Sequence, residues 1–201
     1  MNFLWYNFGM FKRVTILKLN KIVSLGHLPA RGNERYDIMH PIYNTKNGYL
    51  VNCYGDLINC FAHACFNLSN EQILRNNIDT LDMINFSQFV SHRDATDREI
   101  EENLSLFVNA TGLRMRTCNP EGLMKSNEWK VALYLCKQPD LRDFHFFLQE
   151  RDGSWSSKYG YNASELSSLP QLTDTYVAPI FHDEYRYYKT FAIENPFVRE
   201  K

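Results

Sequence analysis

Three of the five cysteines, Cys53, Cys60 and Cys65, fall close together, and the run Asn59-Cys60-Phe61-Ala62-His63-Ala64-Cys65-Phe66-Asn67 reads as a loop turning into a buried helix. A thiol in the first turn of a helix is favourably placed for nucleophilic chemistry. The unpaired N–H groups and the positive end of the helix dipole favour thiolate over thiol. Cys60 is therefore the candidate nucleophile, and its backbone N–H a candidate oxyanion donor. Cys53 shares the Asn-Cys context, but Gly55-Asp56 follows at once and interrupts a helix start there, so Cys60 is preferred. Cys65, Cys118 and Cys136 read as core thiols. A cysteine nucleophile needs a base within hydrogen-bond reach and a third group to orient that base. His145, among Phe144, Phe146 and Phe147 in a strand-like run, is the candidate base. Gln149 alternates onto the same strand face and is a candidate orienting group. Asn52 is the candidate side-chain donor to the oxyanion.

Zinc is the competing chemistry, because Cys53, Cys60, His63 and Cys65 are all ligand types. On one helix Cys60 and His63 share a face but Cys65 points elsewhere, and no paired Cys-x-x-Cys knuckles occur. No metal is expected. Gly-rich phosphate loops, the Gly-x-Ser-x-Gly elbow and the dinucleotide fingerprint are also missing from the sequence, so no cofactor is expected.

The elements that must position Cys60 and His145 follow from periodicity. Thr96-Asp97-Arg98-Glu99 fits a capping box, and Ile100, Leu104, Phe107 and Val108 recur on one helical face up to Gly112. Short helices are expected over Glu71–Leu81 and Met83–Val90. After Pro120 the period changes to two. Strands are predicted over Trp129–Cys136, Asp143–Glu150, Ser154–Lys158, Tyr176–Ile180 and Tyr185–Ile193, with a helical turn over Ser164–Leu169 and a hairpin at Asp152-Gly153. Helices first and antiparallel strands second give an α+β fold. The hairpin has two possible registers. A two-residue loop puts Ser156 and Lys158 on the face of His145; a three-residue loop with left-handed Gly153 puts Trp155 and Ser157 there. Asp152, at the tip, is expected to be too far from His145 to orient it.

The Cys60 run resembles the "NCY-x-(Y/H)-A" helix start of small papain-like cysteine proteins of bacteria and phages. Trp129-Lys130-Val131-Ala132-Leu133, Asp143-Phe144-His145-Phe146-Phe147 and Asp152-Gly153-Ser154-Trp155-Ser156-Ser157-Lys158 resemble their "KVAL … DYHFYR-x-D-x-DG-x-WSHK-x-G" block. The broader likeness, over about a third of the chain, is to the papain-like fold that includes NlpC-type cell-wall hydrolases. It implies a Cys-helix packed on an antiparallel sheet carrying the histidine, with Cys60 as nucleophile and His145 as general base. The pattern often has a histidine where this chain has Ser157, so Ser157 would stand in the third position. The implied function is a cysteine hydrolase, a peptidase or amidase or an acyl transferase, acting on a protein or peptide. The alternative is a catalytically silent papain-like fold that binds protein, as an inhibitor or as a toxin or effector component.

The length of 201 residues suits one domain, taken as residues 34–201 behind an N-terminal arm over 1–33. That arm holds Lys12, Arg13, Lys18, Lys21 and Arg31, no acid, and the aromatics Phe3, Trp5, Tyr6, Phe8 and Phe11. It reads either as a strand over Val14–Leu19 behind a leader, or as a basic-aromatic arm touching a membrane surface or nucleic acid. Without a recognised helical stripe the strand is preferred. Residues 36–50 read as loop. A net charge of −1 gives no global reason to expect nucleic acid as a partner. No run approaches the roughly 20 apolar residues of a membrane span. Five cysteines without framework spacing suggest a reducing compartment. The chain is expected to be cytoplasmic, or exported without a recognisable signal peptide.

Overall fold

The computed structural model describes residues 10–29, 41–44, 49–52, 60–66, 68, 72, 75–78, 96–138, 143–157, 171–178 and 182–199. In chain order these form α1 (Met10–Val23), β1 (Pro41–Asn44), β2 (Tyr49–Asn52), α2 (Cys60–Cys65), α3 (Asp97–Ala110), β3 (Arg114–Thr117), β4 (Glu128–Cys136), β5 (Phe144–Gln149), β6 (Trp155–Ser157), β7 (Thr175–Val177) and β8 (Glu184–Glu194). The fold is α+β. β3 to β8 make one antiparallel sheet in the order β3-β8-β4-β5-β6, with β7 also on β8.

The sheet is buried on both faces. On one, Trp129, Val131, Leu133, Phe144, Phe146, Leu148, Phe191 and Ile193 pack against α1, α2 and α3. On the other, Ala132, Tyr134, Phe147, Trp155, Tyr176, Ala178 and Tyr185 form a second cluster. Strand alternation assigns each β4 and β5 residue to a face. β8 needs one correction to that rule. Between the pairs Leu133–Lys189 and Tyr134–Tyr187 a β-bulge adds Tyr188. The extra residue shifts the parity, so Tyr185 and Tyr187 lie on one face and Phe191 and Ile193 on the other. It also turns Tyr188 toward α3, where its hydroxyl donates to Glu101 at 3.0 Å.

α3 begins as its sequence predicts. The Thr96 side chain accepts from the Glu99 N–H, and the Glu99 carboxylate accepts from the Thr96 N–H at 2.7 Å. Thr96→Ala removes the hydroxyl that accepts from the Glu99 N–H and donates to the Glu99 carboxylate, and should lower stability by about 1 kcal/mol in urea denaturation. A variant equal to wild type would mean that the box frays in solution.

The N-terminal expectation is overturned. Val14–Leu19 is not a strand but part of α1. Val14, Thr15 and Ile16 are β-branched and favour extended chain locally. Ile16, Leu19, Ile22 and Val23, however, stand at helical spacing and are buried in the same core as α2 and α3. Their packing outweighs a propensity difference of only tenths of a kcal/mol per residue. The arm is thereby tied to the rest of the core, and Asn195 fixes its end, donating to the carbonyls of Val23 (3.0 Å) and His27 (2.6 Å). The loop expected over 36–50 contains the β1–β2 pair, with Ile42 opposite Val51 and Tyr43 opposite Leu50. Pro41 is tolerated as the first residue of a strand. The helices expected at 71–81 and 83–90 and the turn at 164–169 lie largely or wholly outside the described residues.

Candidate functional site

α2 begins at Cys60, and all six of its residues are buried. Phe61 seats it, meeting Phe146 and Phe107 at ring-centroid distances of 5.4 Å each and Phe66 at 6.1 Å. The helix therefore lies on β5, the strand that carries His145. Six residues make less than two turns, so the dipole acting on Cys60 is modest. The Cys60 thiol points at the carbonyl oxygen of Phe144 across 4.0 Å. Because the Cys136 N–H bonds the Asp143 carbonyl, that of Phe144, one residue on, is directed away from β4. The thiol thus sits beside β5, one peptide unit from His145.

The imidazole is on the other face. His145 pairs with Tyr134 across β4–β5 and is buried. It stacks on Tyr176 at 5.0 Å with an interplanar angle of 10°, meets Phe147 edge-on at 4.9 Å and lies 6.0 Å from the Tyr185 ring. Cys60 belongs to the cluster of Phe144 and Phe146, so the β5 backbone stands between thiol and imidazole. Burial pushes the His145 pKa down to about 3. A ring so desolvated resists taking a proton from a thiol. In this arrangement the pair is not a thiolate–imidazolium couple.

The hairpin takes the three-residue register. Glu150 N–H bonds the Ser154 carbonyl at 2.7 Å, Gly153 has φ +90°, and Gln149, Leu148 and Phe147 pair with Trp155, Ser156 and Ser157. Ser157 accordingly shares the His145 face, diagonal to it across β5–β6 and buried, with no hydrogen-bond partner for its hydroxyl among the described residues. Gln149 is on that face too, but two same-face steps from His145, about 13 Å along the strand with Phe147 between. Its amide donates to the Gly153 carbonyl at 3.3 Å. Gln149 belongs to the turn and does not orient His145. Asp152 also serves the turn, accepting from the Ser154 N–H at 3.0 Å and hydroxyl at 2.6 Å.

Asn52 ends β2, where it pairs with Pro41. Cys53 and Asn59 lie outside the described residues. Cys65 is buried, and burial first, then the nearby Cys60, pushes its pKa well up. Burial also raises Cys118 and Cys136. Cys65 is a core thiol as expected, whereas Cys118 and Cys136 are only partly buried and lie at the edge of the packing. Among the described residues no group of three or more His, Cys, Asp or Glu could hold a metal.

Sequence reasoning missed the surroundings of the imidazole. Tyr176, from β7, supplies the stacked ring. Asp143, two residues before His145 on its face, accepts from the Tyr185 hydroxyl at 2.6 Å and the Phe144 N–H at 2.8 Å. The Asp-x-His spacing on a strand was the available signal, since it puts carboxylate and imidazole on one side.

Comparison with known proteins leaves this geometry to speak for itself. No protein-family model and no curated protein matches the chain. No helix among the described residues is long and apolar enough to cross a membrane.

Proposed function

We propose that the chain is a cysteine hydrolase of the papain-like kind, a peptidase or amidase acting on a protein or peptide, with Cys60 as nucleophile and His145 as base. The observation that supports it is the placement of Cys60 at the start of α2, its thiol 4.0 Å from the carbonyl of the residue preceding His145. In the reaction the sulfur attacks the substrate carbonyl carbon, and His145 takes the thiol proton and returns it to the leaving amine. Water, or an amine in a transferase, then clears the acyl-enzyme. Ser157, on the His145 face, is the nearer of the two named candidates for the third position. The reading carries a structural requirement: the productive state must bring the imidazole out from beside Tyr176 to the thiol.

A second reading is favoured by the same cage. A histidine sealed between Tyr176, Phe147 and Tyr185 is well placed as a core group, and a papain-like fold built this way would act by binding protein without catalysis.

Cysteine alkylation by iodoacetamide, followed residue by residue by mass spectrometry across pH in wild type and His145→Ala, separates the two. For the hydrolase, Cys60 reacts near pH 6 at least about tenfold faster than Cys118 or Cys136, and the His145→Ala protein loses that advantage. If Cys60 is as slow as Cys65 in both proteins, the hydrolase reading fails for the free protein and the binding reading stands.

A further inference from the structure

α1 is apolar on two sides. Ile16, Leu19, Ile22 and Val23 face the core. On the opposite side Val14 is 47% exposed and Leu17 57%, and Leu25, just past the helix end, is 80% exposed. Val14, Leu17 and Lys21 follow at helical spacings of three and four, so they form one outward stripe, which Leu25 extends. Lys21 is exposed, and the part-exposed Lys18 borders the stripe, its ammonium donating to the Asn77 carbonyl. A single exposed leucine is ordinary on a protein surface. Three exposed aliphatic side chains in register, with Lys21 among them and Lys18 alongside, leave apolar area in water.

The charge of the N-terminal sequence is one-sided. Residues 1–33 carry five cations and no acid, which leaves seventeen of the 22 Lys and Arg to face all 23 Asp and Glu in the rest of the chain. A near-neutral protein is thus divided into a basic α1 region and an acidic remainder. Trp5 and Tyr6, types enriched at membrane–water boundaries, precede the helix in sequence, among the apolar Phe3, Leu4 and Phe8.

We infer that the outward face of α1 docks on an anionic lipid surface. Val14, Leu17 and Leu25 enter the boundary between headgroups and acyl chains, and the lysines pair with lipid phosphates or carboxylates, while the inner face of the helix stays in the core. A second copy of the chain fits this face poorly, since opposing two such helices brings like charges together without an acid to separate them. Nucleic acid fits poorly too, because three of the four stripe residues, Val14, Leu17 and Leu25, are apolar where phosphates would need donors. The inference is independent of the chemistry at Cys60.

The test is co-sedimentation of the full chain with phosphatidylcholine vesicles, with and without phosphatidylserine, at low and raised salt. Binding is expected only with phosphatidylserine and should weaken with salt. Val14→Ser with Leu17→Gln, and separately Lys21→Glu, should each lower partitioning at least about tenfold. Leu123→Gln, at a residue 96% exposed elsewhere on the surface, should leave it unchanged. Far-UV circular dichroism and melting show that each variant is folded. The inference is overturned if the wild type does not sediment with phosphatidylserine vesicles, or if the α1 variants bind as well as wild type. It also fails if the α1 substitutions instead dissolve a lipid-free dimer or abolish binding to a nucleic acid.

Discussion

Phe61→Ala should lower the stability of this protein by about 3–5 kcal/mol, the range for truncating a fully buried phenylalanine. Phe61 has no exposed surface to speak of and stands between Phe146 of β5, Phe107 of α3 and Phe66 at the end of α2. α2 is too short to hold its own conformation, since isolated helices of its length are unstable in water. Its helicity is therefore borrowed from this aromatic contact. Removing the ring leaves a cavity and also releases the element that positions Cys60. Urea denaturation of wild type and variant measures the difference. Phe197→Ala, at an exposed ring, serves as the reference and should stay within about 0.5 kcal/mol of wild type. A Phe61→Ala protein within about 1 kcal/mol of wild type would show that α2 is not seated on β5.

The second large effect is a loss of stability in mild acid that His145→Phe relieves. His145 has a folded-state pKa of about 3, lowered from 6.5 by burial. The unfolded chain therefore binds a proton in the interval between those values that the folded chain does not. By linkage, stability is fully present above pH 6.5 and falls as pH drops toward 3. The loss from this one residue reaches about 3 kcal/mol by pH 4.5 and about 4 kcal/mol by pH 3. His27, lowered by burial against the opposing bond to the Phe66 carbonyl, acts in the same direction. Glu101 and Glu128 titrate lower. Burial pushes each up, but the Lys189 and Tyr188 bonds to Glu101, and the Lys125 N–H and Arg116 bonds to Glu128, pull them below 4.5. Their stabilisation is therefore lost only beneath that pH, which leaves the window from 6.5 to 4.5 to the histidines. Phenylalanine suits the ring contacts with Tyr176 and Phe147 and cannot take a proton. Chemical denaturation of both proteins at pH 7 and pH 4.5 should show the variant losing about 3 kcal/mol less. Equal losses would mean that His145 is hydrated in solution, a condition the hydrolase reading could use and the sealed cage could not.

These effects divide along what the chain encodes locally and what it does not. The capping box at Thr96–Glu99 and the stripe Ile100, Leu104, Phe107, Val108 specify α3 by themselves, because cap, period and burial agree within fifteen residues. The strands from 128 to 157 and the α+β order are local in the same sense. Turn chemistry at Gly153 allows two hairpin registers, and the bond from the Glu150 N–H to the Ser154 carbonyl marks the three-residue loop.

Tertiary structure decided the rest. α1 is a helix because Ile16, Leu19, Ile22 and Val23 find a core to fill, against the strand preference of Val14, Thr15 and Ile16. The bulge at Tyr188 separates Tyr185 and Tyr187 from Phe191 and Ile193, which simple alternation would place together. The relation between Cys60 and His145 is of this kind. β5 is apolar on both faces, Phe144, Phe146 and Leu148 on one and Phe147 beside His145 on the other, so its sequence bears no mark of which face receives α2. A strand's alternation fixes which residues share a side. Only the packing of a distant helix fixes which side that is, and here it seats α2 against Phe146 and leaves the imidazole to Tyr176.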